Sequence, residues 1–198
     1  MSAMAEIIVK AYPTLPEPNI GEILRYAGTA DGDEGVMLLL NESIGEALSV
    51  ISPRVCYAEY SICREETVYD LGFASVASSD LDRALAGCSS IILFAATLGC
   101  APDRLIQKYS RLSPSRALLI DAVCSERIEA LCDTFEREVT EGIYHRPRYS
   151  PGYGDVPIEI QKKIFASLSP ERRIGLTLND SMLMSPTKSV SAFIGIRR

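Results

Sequence analysis

The sequence contains no tryptophan and only one histidine, His145, among its 198 residues. Its six cysteines include no Cys-x-x-Cys pair. Because zinc sites are built mostly from cysteine and histidine at such short spacings, the sequence predicts no metal site. The spacings favour six free cysteines, packed as small hydrophobic side chains in a reducing compartment, over a disulfide framework.

Long hydrophobic runs are also missing. The most extended apolar run, from Ile91 to Leu98, is far shorter than the roughly 20 residues that span a bilayer. The N-terminal residues lack the basic stretch followed by an apolar stretch that is typical of a signal peptide. We therefore expect a cytoplasmic protein with no membrane partner.

Positive charge is scarce as well. The chain has 20 Lys and Arg against 26 Asp and Glu, which gives a net charge of −6. A chain of this charge has no overall field that attracts the phosphates of nucleic acid, so we expect no nucleic-acid partner. Hydrophobic residues make up 47% of the sequence and charged residues 23%, which is typical of a folded globular protein and excludes a disordered or coiled-coil chain.

Apolar residues repeat with the periods of both helices and strands, and the mixture predicts the α+β class. We expect a mostly antiparallel, twisted sheet that is packed with helices, with one long central helix. The last two strands are expected to pair with each other. Helices are predicted over 19–27, 36–51, 80–85, 102–112, 115–139 and a segment after Asp155, and strands over 55–63, 68–76, 91–98, 174–178 and 190–196.

The predicted long helix, 115–139, carries two different stripes of side chains. Its apolar stripe is typical of a helix that packs on a core. Its acidic stripe is interpreted from periodicity alone as a solvated face. The apolar stripe is Ile120, Cys124, Ile128, Leu131, Phe135 and Val139, and the acidic stripe is Glu126, Glu129, Asp133 and Glu136.

The loop RYSPGYGD, residues 148–155, is the least ordinary stretch of the sequence. Its two glycines allow a ligand to approach the backbone closely. Arg148 offers a guanidinium for a carboxylate or phosphate, and the two tyrosines offer flat faces for a base or a cation. From these residues alone, a ligand-binding loop and a tight turn rich in turn-forming residues are equally acceptable. Asp155 is expected to cap the helix that follows.

A cysteine nucleophile is a third possibility, with Cys124 or Cys132 acting beside His145. The pattern disfavours it, because both cysteines fall on or beside the apolar stripe of the long helix and no motif marks either of them.

Two C-terminal motifs resemble the activation domain of cobalamin-dependent methionine synthase. The first is RYSPGYGD at 148–155, followed by PIEIQK at 157–162. The second is LNDSMLMSP at 178–186, which continues into KSVSA at 188–192. The stretch ILRY at 23–26 and the long helix fit a free-standing short form of this domain.

The resemblance implies a single domain over 1–198, with an N-terminal helical part over about 1–52 and an activation-domain-like core over about 53–198. Such a domain binds S-adenosylmethionine (SAM) in a shallow groove and presents the methyl group to the cobalt of a cobalamin. It thereby supports the reductive methylation of cob(II)alamin to methylcobalamin. The implied partners are a corrinoid-binding methionine synthase chain and a flavodoxin- or ferredoxin-like electron donor.

The family resemblance also implies individual site residues. Arg148 is expected to hold the SAM carboxylate, and the backbone around Ser150 and Gly152 to hold other parts of the molecule. Tyr153 is expected to face the corrin, and Glu129 to contact SAM from the long helix.

No Asp-x-His-x-x-Gly motif is present. We therefore expect cobalamin only on the partner, and methyltransferase activity only together with it. A SAM- or nucleotide-binding sensor that transfers no methyl group, and a scaffold that has lost its ligand, are the alternatives.

Overall fold

The computed structural model describes residues 5–29 and 33–198; residues 1–4, where the predicted N-terminal part begins, and residues 30–32 lie outside the described residues. In chain order the elements are β1 (Ile8–Ala11), α1 (Ile20–Tyr26), α2 (Glu34–Val50), β2 (Arg54–Ser61), β3 (Cys63–Glu65), β4 (Val68–Asp70), β5 (Ser75–Ala77), α3 (Asp80–Ala84), β6 (Ser90–Thr97), α4 (Ala101–Leu112), α5 (Pro114–Val139), β7 (Tyr144–His145), α6 (Ile160–Leu168), α7 (Pro170–Ile174), β8 (Thr177–Leu178), β9 (Met184–Ser185) and β10 (Ser189–Arg197).

A five-stranded antiparallel sheet forms the centre of the fold. Its strand order is β1-β2-β6-β10-β7. Every residue of β6 is buried, since β6 lies in the middle of the sheet and both of its faces are covered. This burial explains why the sequence of β6 is a continuous apolar run rather than an alternating one. The prediction of a buried strand over 91–98 is confirmed.

Two hydrophobic cores lie on opposite faces of this sheet. Ile92, Phe94 and Ala96 of β6 point toward α1, α2 and α5. The alternate residues of β6, Ile91 and Leu93, point toward α3, α6 and the small hairpin sheet β3-β4-β5. Side chains of successive strand residues point to opposite faces, so a single strand contributes to both cores.

The long helix α5 lies where the sequence predicts it. Phe135 is fully buried, with its ring centroid 4.9 Å from that of Phe94 and 5.1 Å from that of Tyr57. Such ring contacts add to the burial of apolar area and fix the helix across the sheet. The predicted N-cap of α1 is also confirmed, since the Asn19 side chain accepts a hydrogen bond from the Glu22 N–H over 3.2 Å.

Glu126 does not belong to a solvated face, so that prediction is wrong at this position. Its residue is only 7% exposed, and its carboxylate pairs with Arg127 at 2.5 Å. Glu126 also accepts the Asn19 N–H over 3.2 Å, and Arg127 donates to the carbonyl oxygens of Pro16 and Glu17. A buried ion pair is tolerated when further hydrogen bonds satisfy both groups, and this one fastens the proline-rich N-terminal segment to α5.

The predicted strand 174–178 is wrong over most of its length. Ile174 ends helix α7, which begins at Pro170, and Gly175 caps that helix with φ of +73°. A proline at the start and a positive-φ glycine at the end are the usual boundaries of a short helix. Only β8 remains as a strand, and it pairs with β9, whereas β10 pairs with β6 and β7. The predicted pairing of the last two strands is therefore also wrong.

The predicted strand 68–76 is two strands. Its halves form the antiparallel hairpin β4-β5, and Gly72 lies in the connecting turn with φ of +77°. A glycine at such a φ permits a tight turn, where the sequence suggested only a bend. Among the described residues, no helix is both long and apolar enough to cross a membrane.

Candidate functional site

The 148–155 loop begins as an irregular neighbour of β10 at the edge of the central sheet. Tyr149 and Phe193 exchange two backbone hydrogen bonds, of 2.9 and 3.0 Å. The ring of Tyr149 stacks on the ring of Phe193 with centroids 5.8 Å apart. The first residues of the loop are thus held in place by the last long strand of the fold.

The middle of the loop is a tight turn whose backbone groups satisfy one another. The Gly152 N–H donates to the Val156 carbonyl over 2.9 Å, and the Tyr149 hydroxyl donates to the Tyr153 carbonyl over 2.7 Å. Gly152 has φ of +91° and Gly154 has φ of +55°, values that favour glycine. The two glycines are therefore explained by backbone conformation.

Arg148 lies against three carboxylates of α5. Its Nη1 donates to Asp133 over 2.6 Å and to Glu136 over 2.9 Å, and its Nη2 donates to Glu129 over 2.7 Å. The three acidic residues are four and three positions apart, which places them on one face of the helix. We call Glu129, Asp133 and Glu136 the acidic wall. Their carboxylates are paired with Arg148 and are not free in solvent.

The charges of Arg148 and the acidic wall do not balance. One guanidinium faces three carboxylates, which leaves an excess of two negative charges when all groups are ionised. Burial by itself lowers the pKa of Arg148, but the hydrogen bonds to Asp133, Glu129 and Glu136 outweigh it and the pKa is raised. Arg148 therefore stays protonated, and the wall attracts additional positive charge.

A cavity of about 400 Å³ lies beside the acidic wall, between Glu129 and the loop. Its size falls within the range of small-molecule sites. Four of the five residues that the sequence suggested lie together here. The cavity is lined by Glu129, Arg148, Tyr149, Ser150, Tyr153 and Val190.

Gly152, the fifth suggested residue, does not line the cavity. It packs beneath the turn, where an added Cβ would lie 2.8 Å from the Ile158 side chain. Tyr153 is 69% exposed at the mouth of the cavity. Tyr149 and Val190 also line the cavity, and neither was assigned to the site from the sequence. The aromatic ring of Tyr149 in the loop could have indicated its role. Nothing in the sequence indicates the role of Val190, because its position depends on strand pairing.

A wider groove of about 860 Å³ adjoins the acidic wall on the side of β7. It shares Asp133, Glu136 and Arg148 with that wall and also contacts His145. The described part of the chain contains no group of three or more His, Cys, Asp or Glu side chains that could hold a metal ion.

Asp155 does not cap the helix that follows it, so that prediction is wrong. The helix α6 begins five residues later, at Ile160. The carboxylate instead accepts hydrogen bonds from the Ser78 hydroxyl, from the N–H of Ser79 at 2.7 Å and from the N–H of Asp80 at 3.3 Å. It therefore caps α3, in a distant part of the sequence.

Cys124 and Cys132, the two candidate nucleophiles, lie on the buried face of α5. Burial raises the pKa of Cys124 to about 12 and raises the pKa of Cys132 further. A thiol with a raised pKa is a poor nucleophile, because the thiolate is the reactive form. This geometry agrees with the reading of both residues as core side chains.

The sheet, its two helical layers and the loop-bordered cavity define an activation-domain-type fold. Thirteen chains of solved structures match it, among them a crystal structure of the MetH reactivation domain bound to AdoHcy. That structure has a TM-score of 0.72 and 16% sequence identity, over 96% of this chain and 78% of the other. The predicted α+β class is confirmed.

The sequence itself identifies the family. Residues 64–197 match the family described as vitamin B12 dependent methionine synthase, activation domain. This match covers more than half of the chain, so the protein belongs to that family, and the resemblance found in the two sequence motifs is confirmed. No curated protein matches the chain.

Proposed function

We propose that this chain binds SAM in the cavity between α5 and the 148–155 loop and supports the reductive methylation of cob(II)alamin on a separate corrinoid protein. The observation that carries the proposal is the meeting of Arg148, Ser150 and Tyr153 with Glu129 around one ligand-sized cavity. The first three belong to a family motif, and the fourth comes from the acidic wall of α5.

Arg148 has donors available for a carboxylate. A guanidinium carries five N–H groups. Three of them donate to the acidic wall, and those remaining, on Nε and Nη2, have no partner among the described residues. Two N–H groups of one guanidinium suit the two oxygens of a carboxylate, such as that of SAM.

The surplus negative charge of the wall suits the rest of the ligand. SAM carries an ammonium, a sulfonium and a carboxylate, so its net charge is +1, and its binding reduces the excess negative charge of Arg148 and the acidic wall from two to one. Glu129 is the member of this wall that lines the cavity. We assign it to a cationic group of the ligand, the ammonium or the sulfonium, with Arg148 holding the carboxylate.

Two tyrosines, Tyr149 and Tyr153, complete the proposed site. Tyr149 is held against Phe193 and lines the cavity. Tyr153 is a large aromatic side chain exposed at the cavity mouth, where a partner can cover it. When bound, SAM would supply the methyl group and leave as AdoHcy, and a flavodoxin- or ferredoxin-like protein would supply the one electron that reduces the partner's cob(II)alamin before methylation.

Thermal unfolding with SAM, AdoHcy and ATP tests the ligand assignment. A ligand at about 100 times its Kd adds about 2.7 kcal/mol of stability and raises Tm by roughly 5–11 °C for a chain of this size. We expect SAM to stabilise the unmodified protein and Arg25→Ala, but not Arg148→Ala. Arg25 is the matched control because its guanidinium pairs with Glu22 on α1, outside the site.

A reconstitution tests the function. A methionine synthase chain holding cob(II)alamin is mixed with SAM and a reduced flavodoxin, with and without this protein, and methylcobalamin is followed by absorbance. Faster recovery with this protein is the expected result, and equal recovery rates contradict the proposal. SAM binding without any gain in recovery favours the sensor alternative, and stabilisation by ATP but not SAM favours a nucleotide ligand.

A further inference from the structure

One carboxylate fastens the C-terminal end of the 148–155 loop to the rest of the molecule. Asp155 accepts four hydrogen bonds from the turn that begins α3. Two come from the hydroxyls of Ser78 and Ser79, the latter over 2.8 Å, and two come from the N–H groups of Ser79 and Asp80. A carboxylate with this many donors is held in one orientation.

The contact is reciprocal. The backbone N–H of Asp155 donates to Oδ2 of Asp80 over 3.1 Å, while the other oxygen of Asp80 pairs with Arg83. Each aspartate thus binds the backbone of the other's segment. An added Cβ at Gly154 would lie 1.9 Å from Oδ2 of Asp80, which shows how closely the loop approaches this turn.

The loop is therefore fixed at two ends. At one end Tyr149 pairs with Phe193 of β10, and at the other Asp155 binds the start of α3. The residues between these ends include Ser150 and Tyr153, which line the cavity. Their position depends on both anchors, because the bond from the Tyr149 hydroxyl to the Tyr153 carbonyl connects the two halves of the loop.

We propose that Asp155 is a positioning residue of the SAM site, which by binding the Ser78–Asp80 turn holds Ser150 and Tyr153 in the arrangement that accepts the ligand. This inference rests on the proposed function. Asp155 does not line the cavity and acts through the loop alone. A loop that is released spends only part of its time in the competent arrangement, and the apparent affinity falls by that fraction.

The first test compares SAM affinities by calorimetry. Asp155→Asn keeps the size of the side chain but replaces one acceptor oxygen with an NH2 group that faces donors. We expect the Kd for SAM to rise at least about tenfold. The double variant Ser78→Ala/Ser79→Ala removes the two hydroxyl donors and leaves both backbone donors, so its loss is expected to be smaller.

Asp82→Asn is the matched control. Asp82 also lies on α3, and it accepts hydrogen bonds from Arg64 at 3.0 Å and from the Tyr69 hydroxyl at 2.9 Å. The substitution makes the same change in charge and replaces one acceptor oxygen, which costs one of these two hydrogen bonds, but it removes none to the loop. We expect the Kd for SAM to stay within about twofold of the unmodified value, whatever happens to Tm.

A fluorine probe reads the loop without any ligand. With 3-fluorotyrosine at Tyr149, the 19F signal reports the hydroxyl's bond to Tyr153 and the stacking on Phe193. We expect one signal in the unmodified protein and in Asp82→Asn, and a shifted or split signal in Asp155→Asn. A merely structural loss of α3 stability changes Tm but leaves this signal in place.

Two results overturn the inference. One is a SAM Kd for Asp155→Asn within about twofold of the unmodified value. The other is an unchanged 19F signal in that variant. If the unmodified protein does not bind SAM, the proposed function fails separately, and the fluorine probe still decides whether Asp155 positions the loop.

Discussion

Nη2 of Arg148 lies 2.7 Å from Oε2 of Glu129, so the side chains proposed to bind the carboxylate and a cationic group of SAM also bind each other. Arg148 comes from the loop and Glu129 from α5, and their bond closes one wall of the cavity. Charge pairs of this kind fix the direction of a guanidinium at little cost in side-chain entropy. The ligand therefore meets a preformed wall.

Arg148→Ala is expected to reduce the free energy of unfolding by about 1–3 kcal/mol at low salt. The substitution leaves Glu129, Asp133 and Glu136 facing one another without a cation. Because salt screens such repulsion, part of the loss is expected to return at about 1 M NaCl. Urea unfolding at both salt concentrations measures the effect.

The control for this prediction is Arg25→Ala, which breaks an exposed pair with Glu22 and is expected to reduce the free energy of unfolding much less than Arg148→Ala does. An Arg148→Ala deficit that is equal at low and high salt contradicts the electrostatic explanation and leaves lost packing as the cause.

Gly154→Ala is expected to disrupt the loop. The new Cβ collides with Asp80, at 1.9 Å, and the backbone has φ of +55°. We expect a loss of about 2–3 kcal/mol in urea unfolding. Gly142→Ala is the control: it has φ of +73° but nothing within 4 Å of its Cβ, so only backbone strain of about 1 kcal/mol is expected. Equal losses in the two variants contradict the close approach of loop and α3.

Asp155 is expected to make stability depend on acid pH. Hydrogen bonds from Ser78 and then from Ser79 hold the pKa of Asp155 below its usual range. A carboxyl whose folded pKa is lowered contributes stability that is present above its unfolded pKa, near 3.9, and is lost as the pH falls through the folded pKa.

The measurement compares the unfolding free energies of the unmodified protein and Asp155→Asn from about pH 7 to about pH 2.5. The difference is expected to be constant above about pH 5 and to shrink below about pH 4. A difference that does not change over this whole range means that the charge of Asp155 contributes nothing.

Five of the six cysteines are expected to react with a thiol reagent in two groups, and Cys88, which is half-buried, is expected to react at an intermediate rate. Cys63 and Cys100 are exposed, whereas Cys56, Cys124 and Cys132 are buried. Burial raises the pKa of Cys56 to about 11, so the buried thiols are protonated as well as inaccessible.

Labelling of the native protein followed by mass spectrometry should therefore modify Cys63 and Cys100 first and the three buried cysteines only after unfolding. Rapid labelling of Cys124 in the native state contradicts the burial of α5. This grouping also corrects the expectation that all six cysteines are core side chains.

Local patterns were sufficient for the principal elements. The apolar stripe of α5 repeats every three or four residues and the apolar run of β6 is continuous, so both patterns are visible among neighbouring residues. The two elements form where they were predicted. The same reasoning failed over 174–178, because the end of a short helix and the residues after it bury Ile174 and Leu176 and leave Gly175 and Thr177 exposed, which is also the alternation of a strand. The burial of alternate residues, and not pairing with another strand, produced that alternation.

The family motifs likewise named the loop and Arg148, but not their partners. Periodicity placed Glu129, Asp133 and Glu136 on one face of α5 and suggested a solvated face, whereas the fold brings Arg148 against all three. The division into an N-terminal part and a core stays a prediction.

The sequence by itself therefore determined the helices and strands that rest on neighbouring residues, together with the identity of the family. Only the tertiary structure decided which groups meet at the site. Asp155 lies 75 to 77 positions from the donors that it binds, and no local propensity can reach across that distance. Strand pairing and the burial of two cores bring the loop to the start of α3. Because hydrophobic burial has no preferred direction, it is the hydrogen bonds that fix how the loop and α3 are oriented.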